Sequence, residues 1–130
     1  APMTALIRAQ SAVAQNKGDE AQGYLRWVMD NADVDYLKLV ANLRLARLAV
    51  EKQEFEEAIG LLDAVESGPL SSMYEELRAD IYVLQGQTEK AAEHYAQALG
   101  SERVSATSRS RIEMKSADLG LRPTSSASTD

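Results

Sequence analysis

The stretch Ser72–Leu99, SMYEELRADIYVLQGQTEKAAEHYAQAL, decides the fold because small residues and tyrosines recur in it at helical spacing. They fall on both sides of Gly86: Ala79 and Tyr82 before it, Ala91 and Tyr95 after it. Alanines let two antiparallel helices approach closely, and tyrosines fill the space beside them. Gly86 is suited to end the first helix because glycine readily adopts the left-handed conformation. The pattern predicts a helix–turn–helix hairpin, with Thr88 as the N-cap of its second helix.

The same spacing recurs upstream. Ala46 lies 33 positions before Ala79, and Ala58 lies 33 positions before Ala91. A third, weaker copy is centred on Ala9. A period of about 33–34 residues is that of tetratricopeptide (TPR) repeats, in which each helical hairpin packs on the next. The sequence therefore predicts an all-α, TPR-like right-handed helical solenoid of about three helix–turn–helix repeats plus a C-terminal capping helix. We expect close helix contacts at Ala46, Ala58, Ala79 and Ala91.

Hydrophobic periodicity places four helices before this hairpin and one after it. Their expected bounds are Met3–Asn16, Asp19–Asn31, Asp35–Gln53, Phe55–Glu66 and Glu102–Leu119. The third is apolar on more than one face, so it should have neighbours on several sides. Asp19 is the candidate N-cap of the second helix. Trp27 on that helix is read as a packing residue, with the lip of a binding surface as the alternative. Residues 1–121 are the predicted helical domain, and the Ser/Thr-rich residues 122–130 a flexible tail.

Composition argues against several classes of partner and site. The formal net charge is −6, whereas nucleic acids and anionic membranes require a basic footprint. No cysteine is present, so the sequence provides no disulfide framework and no thiolate ligand or nucleophile. No run of 18 apolar residues occurs, so we expect no membrane span within this chain.

The titratable residues form no pattern that is typical of catalysis. His94 is the only histidine, and Lys90 lies one turn before it, which disfavours a metal ion there. The carboxylate pairs Glu56–Glu57 and Glu75–Glu76 are adjacent in sequence and so point to different parts of a helix surface. We therefore expect a protein that is not an enzyme and holds no metal or cofactor.

The residues of these hairpins resemble those of the YfgM-type proteins, the TPR-like ancillary subunits of the SecYEG translocon. The resemblance covers roughly residues 20–120 and is carried by RLARL at Arg44–Leu48, FEEA at Phe55–Ala58, LRADI at Leu77–Ile81, and Met114-Lys115 followed by Asp118-Leu119. It implies the periplasmic domain of an inner-membrane protein, anchored by a segment upstream of this chain. It also implies a chaperone-like role, with the translocon and other periplasmic chaperones as partners, and it brings no catalytic residues.

Two functions remain open for such a solenoid. The first is an interaction module that holds polypeptide or other chaperones in its concave groove. The alternative is a structural scaffold that mediates the assembly or self-association of an envelope complex. Alignment of the three copies places seven residues at groove positions of the first helices: Leu6, Gln10, Leu43, Arg47, Glu76, Asp80 and Val83.

The chemistry of these groove positions predicts the kind of client. Arg47 is their only cation, and Glu76 and Asp80 would repel a peptide's terminal carboxylate, so we predict no carboxylate clamp. Apolar groove residues would supply affinity without sequence specificity, and an acidic rim would favour basic or neutral clients. The alternative is that the apolar candidates are buried between helices and leave a polar face.

Overall fold

The computed structural model of the protein describes residues 1–15 and 17–120. These residues form seven α-helices, one short 3₁₀-helix and no strand, which confirms the predicted all-α fold. The helices are α1 (Pro2–Ala14), α2 (Gly18–Asn31), α3 (Asp35–Glu51), α4 (Phe55–Asp63), α5 (Ser71–Leu84), α6 (Thr88–Leu99) and α7 (Ala106–Leu119), and the 3₁₀-helix spans Gly68–Leu70. The predicted tail at residues 122–130 lies outside the described residues.

The chain divides into two compact units, Ala1–Glu66 and Ser67–Asp130. In the first unit, α1 packs with α2 and α3 packs with α4, while α2 and α1 both contact α3. In the second unit, α5 and α6 form the hairpin predicted from the sequence, and α7 packs against α6. The first unit therefore contains two helical hairpins and the second contains one hairpin plus α7. Helix α3 has neighbours on several sides, as its apolar faces predict.

Small residues lie where the helices approach most closely. The four alanines predicted at close contacts, Ala46, Ala58, Ala79 and Ala91, have no exposed surface. The core of the first unit combines alanines of α1 and α2 with Leu25 and Val28. The core of the second unit joins Ala79 and Ala91 to Tyr95 of α6 and to Ile112 of α7. This core holds α7 on the end of the last hairpin, where a capping helix was predicted.

The turn between α5 and α6 agrees with the sequence-based prediction only in part. Gly86 has a φ of 76°, the left-handed conformation that ends α5 as predicted. The N–H of Gln87 then donates to the carbonyl of Tyr82 at 2.8 Å, and α6 begins directly at Thr88. Thr88 is thus the first helical residue, and its buried hydroxyl has no hydrogen-bond partner among the described residues. The prediction of Thr88 as an N-cap is wrong because the backbone already closes this turn.

Other helix ends differ from the predicted bounds for local reasons. Helix α2 begins at Gly18, so Asp19 lies inside its first turn and the N-cap prediction is wrong. Helix α3 ends at Glu51, because Gln53 turns the chain with a φ of 61°. Helix α7 begins only at Ala106, where the side chain of Ser105 accepts a hydrogen bond from the Ser108 N–H at 3.1 Å.

Enlarging the alanine at the α5–α6 contact should destabilise the second unit. We expect Ala79→Leu to lower the free energy of unfolding by about 1–3 kcal/mol, since the added carbons have no space to enter. Urea denaturation followed by circular dichroism measures the change. Ala96→Leu is the matched control, because Ala96 is exposed on α6 and leucine ranks next to alanine as a helix former. Equal midpoints for the two variants would show that Ala79 does not lie at a tight contact.

Candidate binding surface

A surface cavity of about 270 Å³ opens between α1, α2 and α3 of the first unit. Its lining residues are Ala9, Gln10, Val13, Leu25, Arg44, Arg47, Leu48 and Glu51. Helices α1 and α3 are the first helices of two successive repeats, which is where the sequence predicted a groove. We call this cavity the α1–α3 groove.

The floor of the α1–α3 groove is apolar. Leu25 is fully buried beneath it, and Ala9 and Leu48 are buried beside it. Val13 lies on the wall with 43% of its surface exposed. A floor of this kind can take up an aliphatic side chain from a partner, since each buried CH₂ group contributes about 0.8 kcal/mol.

The wall formed by α3 carries two guanidinium groups. Arg44 and Arg47 lie three residues apart, which places them on the same face of the helix. Nη1 of Arg44 donates to the carbonyl oxygen of Leu6 at 3.4 Å. Neither arginine forms an ion pair with any described carboxylate. Glu51 lines the same groove, about 10 Å further along the helix axis than Arg44. The α3 wall of the groove therefore carries two guanidinium groups with hydrogen-bond donors that no described carboxylate accepts.

Of the four groove residues predicted in the first unit, two line the α1–α3 groove and two are buried. Gln10 and Arg47 are exposed and line the α1–α3 groove. Leu6 and Leu43 are 5% and 3% exposed, so the expectation that they offer apolar surface to a client is wrong. Arg44 was missed by sequence reasoning, although its position one helical turn before Arg47 was a usable signal.

The predicted acidic residues of the second unit are held by cations of α7. Glu76 is only 4% exposed. Arg111 donates to it in bidentate fashion, from Nε to Oε2 and from Nη2 to Oε1, both at 2.7 Å. Nζ of Lys115 donates to Glu76 Oε2 at 2.7 Å and to Asp80 Oδ2 at 3.0 Å. The hydroxyl of Tyr95 donates to Asp80 Oδ1 at 2.5 Å. We call these residues the α5–α7 charge cluster.

The electrostatics of the α5–α7 charge cluster follow from these contacts. Burial alone would raise the pKa of Glu76, but the hydrogen bonds and charges of Arg111 and Lys115 outweigh it and lower the pKa below its ordinary value. The hydrogen bond to Glu76 in turn raises the pKa of Arg111. Val83 is partly buried and packs against the core of the same unit. The expected rim of free acidic residues is therefore wrong, because α7 neutralises it.

The lone histidine belongs to another small network in the second unit. Nδ1 of His94 lies 2.5 Å from Oε1 of Glu75, and Oε2 of the same carboxylate accepts a hydrogen bond from Nη1 of Arg78 at 2.8 Å. The imidazole stacks on Tyr82 with ring centroids 5.3 Å apart. No group of three or more potential metal ligands converges within residues 1–15 and 17–120. These contacts give His94 a role in packing and hydrogen bonding.

Trp27 is more exposed than predicted. It retains 42% of its surface and lies with Tyr24 and Arg8 at a second cavity of the first unit, of about 300 Å³. The alternative of a residue at the lip of a surface cavity fits this position, and the interpretation as a packing residue stays a prediction. Throughout the described part of the chain, each helix is too short or too polar to cross a lipid bilayer.

Comparison with known proteins agrees with this architecture. A family model described as a tetratricopeptide repeat-like domain matches residues 1–121. The chain is also similar to a protein of Neisseria gonorrhoeae named ancillary SecYEG translocon subunit, with 24% identity over 115 residues. The match covers 88% of this chain, which spans about half the length of that relative, 55%. No solved structure matches the chain. These matches confirm the resemblance predicted from the sequence.

Proposed function

Because the chain belongs to the tetratricopeptide repeat-like family, we propose that it binds segments of other polypeptides as a chaperone-like ancillary subunit of a Sec translocon. The observation that carries this proposal is the α1–α3 groove, which pairs an apolar floor with hydrogen-bond donors that have no carboxylate partner among the described residues. The similarity to the ancillary SecYEG translocon subunit of Neisseria supports the translocon as the setting.

The size of the groove determines the strength of binding that we propose. A volume of about 270 Å³ holds one or two side chains of an extended segment, and the rest of the client remains outside. Such a contact is far smaller than the interfaces of stable complexes. Binding is therefore weak and depends on only one or two side chains of the client, which suits a protein that must release its clients.

We further propose that the domain works at the periplasmic face of the inner membrane, held by a segment outside this chain, with the translocon and periplasmic chaperones as partners. The similarity to a translocon subunit supports this location. The periplasmic side follows only from the resemblance of the sequence to YfgM-type proteins.

A second candidate function is self-association as a structural scaffold. Met3 and Ile7 lie one turn apart on α1 and are 56% and 63% exposed. A pair of exposed apolar residues on one helix face can serve as a contact between copies. This surface differs from the α1–α3 groove, so the two functions can be separated by substitutions.

The test measures how well the chain suppresses the aggregation of an unfolded client protein. We expect Val13→Glu to abolish most of the suppression, because it introduces a charge at the apolar wall of the groove. Ile7→Glu is the matched control on the same helix and should retain suppression. The thermal midpoint of each variant reports whether the fold is kept.

The remaining outcomes discriminate between the two functions. Loss of suppression in Ile7→Glu alone, together with a lower mass in analytical ultracentrifugation, would favour the scaffold. If the unaltered chain suppresses nothing at a several-fold excess over client, the chaperone-like role is wrong.

A further inference from the structure

We propose that the α1–α3 groove selects acidic polypeptide segments, in which an Asp or Glu side chain lies close to an aliphatic one. The inference rests on the proposed polypeptide-binding function and adds the chemistry of the client. It reverses the preference for basic or neutral clients that the sequence suggested.

The first support is the state of the two arginines. A guanidinium carries five N–H donors and pairs best with a carboxylate in bidentate geometry. Arg44 uses one N–H on the carbonyl of Leu6, and its other donors have no acceptor among the described residues. Arg47 is exposed and has no hydrogen-bond partner in residues 1–15 and 17–120. The groove thus offers charged donors that only a ligand or water can satisfy.

The second support is the local balance of charge. Arg44 and Arg47 share the groove with one carboxylate, Glu51, which lies one helical turn from Arg47 and two turns from Arg44, so positive charge exceeds negative charge in the lining. The chain as a whole carries a net charge of −6, which opposes an acidic ligand at long range. At physiological ionic strength the Debye length is about 8 Å, so distant charges are largely screened and the adjacent arginines dominate.

The third support is that the acidic residues expected to attract a basic client are already paired with cations. Glu76 and Asp80 were the acidic residues expected to attract basic segments, yet Arg111 and Lys115 already occupy their carboxylates. Among the seven predicted groove positions, Arg47 is therefore the one charged residue without an ion-pair partner in residues 1–15 and 17–120. A basic segment would meet the two arginines and be repelled.

The geometry of the floor defines the rest of the motif. In an extended peptide, residues i and i+2 point to the same side and lie about 7 Å apart. An acidic side chain can then reach Arg47 while its neighbour two residues away rests on Leu25 and Leu48. Nothing in the described lining requires a chain end, so the residue that pairs with the arginines is an internal Asp or Glu of the client.

The experiment titrates the full 130-residue chain with fluorescent peptides blocked at both ends. Three peptides share one aliphatic sequence and carry Asp, Asn or Lys two residues from a leucine. We expect the Asp peptide to bind about fivefold more tightly than the Asn peptide at low salt, with the Lys peptide weakest. The advantage of Asp over Asn should shrink as salt is added.

A double-mutant cycle assigns the preference to the groove. Arg47→Gln should bring the affinity for the Asp peptide closer to that for the Asn peptide, because the Asp contact loses one of its two positive partners. Arg26→Gln is the matched control, since Arg26 is exposed on α2 and does not line the groove. It should preserve the preference for Asp.

Each other outcome overturns a defined part of the argument. Equal affinity for the Asp and Asn peptides would contradict the acidic preference but not polypeptide binding. Failure of all three peptides to bind would contradict the proposed function as well. If an Asn peptide with a free C-terminal carboxylate binds more tightly than the blocked Asn peptide, the groove recognises chain ends instead of internal acidic residues. The peptide series on the unaltered chain decides these points even if Arg47→Gln unfolds.

Discussion

Replacing Ile112 by alanine should destabilise the second unit by about 2–5 kcal/mol, the usual cost of truncating a fully buried aliphatic side chain. Ile112 has no exposed surface and packs in the core that joins α5, α6 and α7. Apart from Leu119, it is the only buried residue of α7. Its truncation therefore leaves a cavity and removes much of the apolar contact that holds the capping helix.

Met114→Ala provides a matched control within the same helix. Met114 is 72% exposed, so its truncation should change the free energy of unfolding by less than about 0.5 kcal/mol. Urea denaturation gives both values, and hydrogen exchange read by mass spectrometry shows whether α7 opens first in Ile112→Ala. Similar losses in the two variants would mean that α7 does not depend on this core.

The dependence on Ile112 follows from the architecture of helical repeats. In a repeat array, each hairpin is covered by the next, and the last one requires a cap with a polar outer face. Helix α7 meets this need with an apolar contact at Ile112 and charged contacts at Arg111 and Lys115. The cap is therefore part of the last repeat's stability.

Hydrophobic spacing predicted the helices of this protein because it records which faces are buried. The interval between Ala46 and Ala79 marks equivalent close contacts, and both alanines are fully buried. Helix ends were harder to predict. Whether Thr88 caps α6 depends on where the backbone of the preceding turn finds its hydrogen bonds, and Gln87 bonds to Tyr82 instead.

The candidate site was less predictable, since it depends on which elements meet. A position on a first helix does not distinguish Arg47, which is exposed, from Leu43, which is buried. Ion pairs between helices that are distant in sequence are equally difficult to predict from the sequence. Glu76 and Asp80 are four residues apart on α5, as Arg111 and Lys115 are on α7. This matched spacing becomes a signal only once α7 is known to lie beside α5.

The second large effect that we expect arises from removing the cations of the α5–α7 charge cluster. The double variant Arg111→Met/Lys115→Met keeps apolar cover over Glu76 but leaves its carboxylate buried without a partner. Such a group costs about 3–5 kcal/mol at neutral pH. Adding Glu76→Gln to the double variant should restore most of this loss, because the amide carries no charge that must be buried.

Acidification should distinguish this electrostatic loss from a packing defect. In the unaltered protein the pKa of Glu76 is lowered, so its stabilising contribution is present at neutral pH. That contribution is lost as the pH falls below about 4.3, the ordinary pKa of glutamate, and through the lower folded value. In the double variant only burial acts on Glu76 and raises its pKa, so protonation relieves the cost as the pH falls.

The difference in free energy of unfolding between the unaltered protein and the double variant should therefore be largest at pH 7 and shrink toward pH 4. When both proteins also carry Glu76→Gln, the difference should stay nearly constant. Urea denaturation across this range measures both differences, and a deficit that does not change with pH would show that Arg111 and Lys115 stabilise the unit by packing.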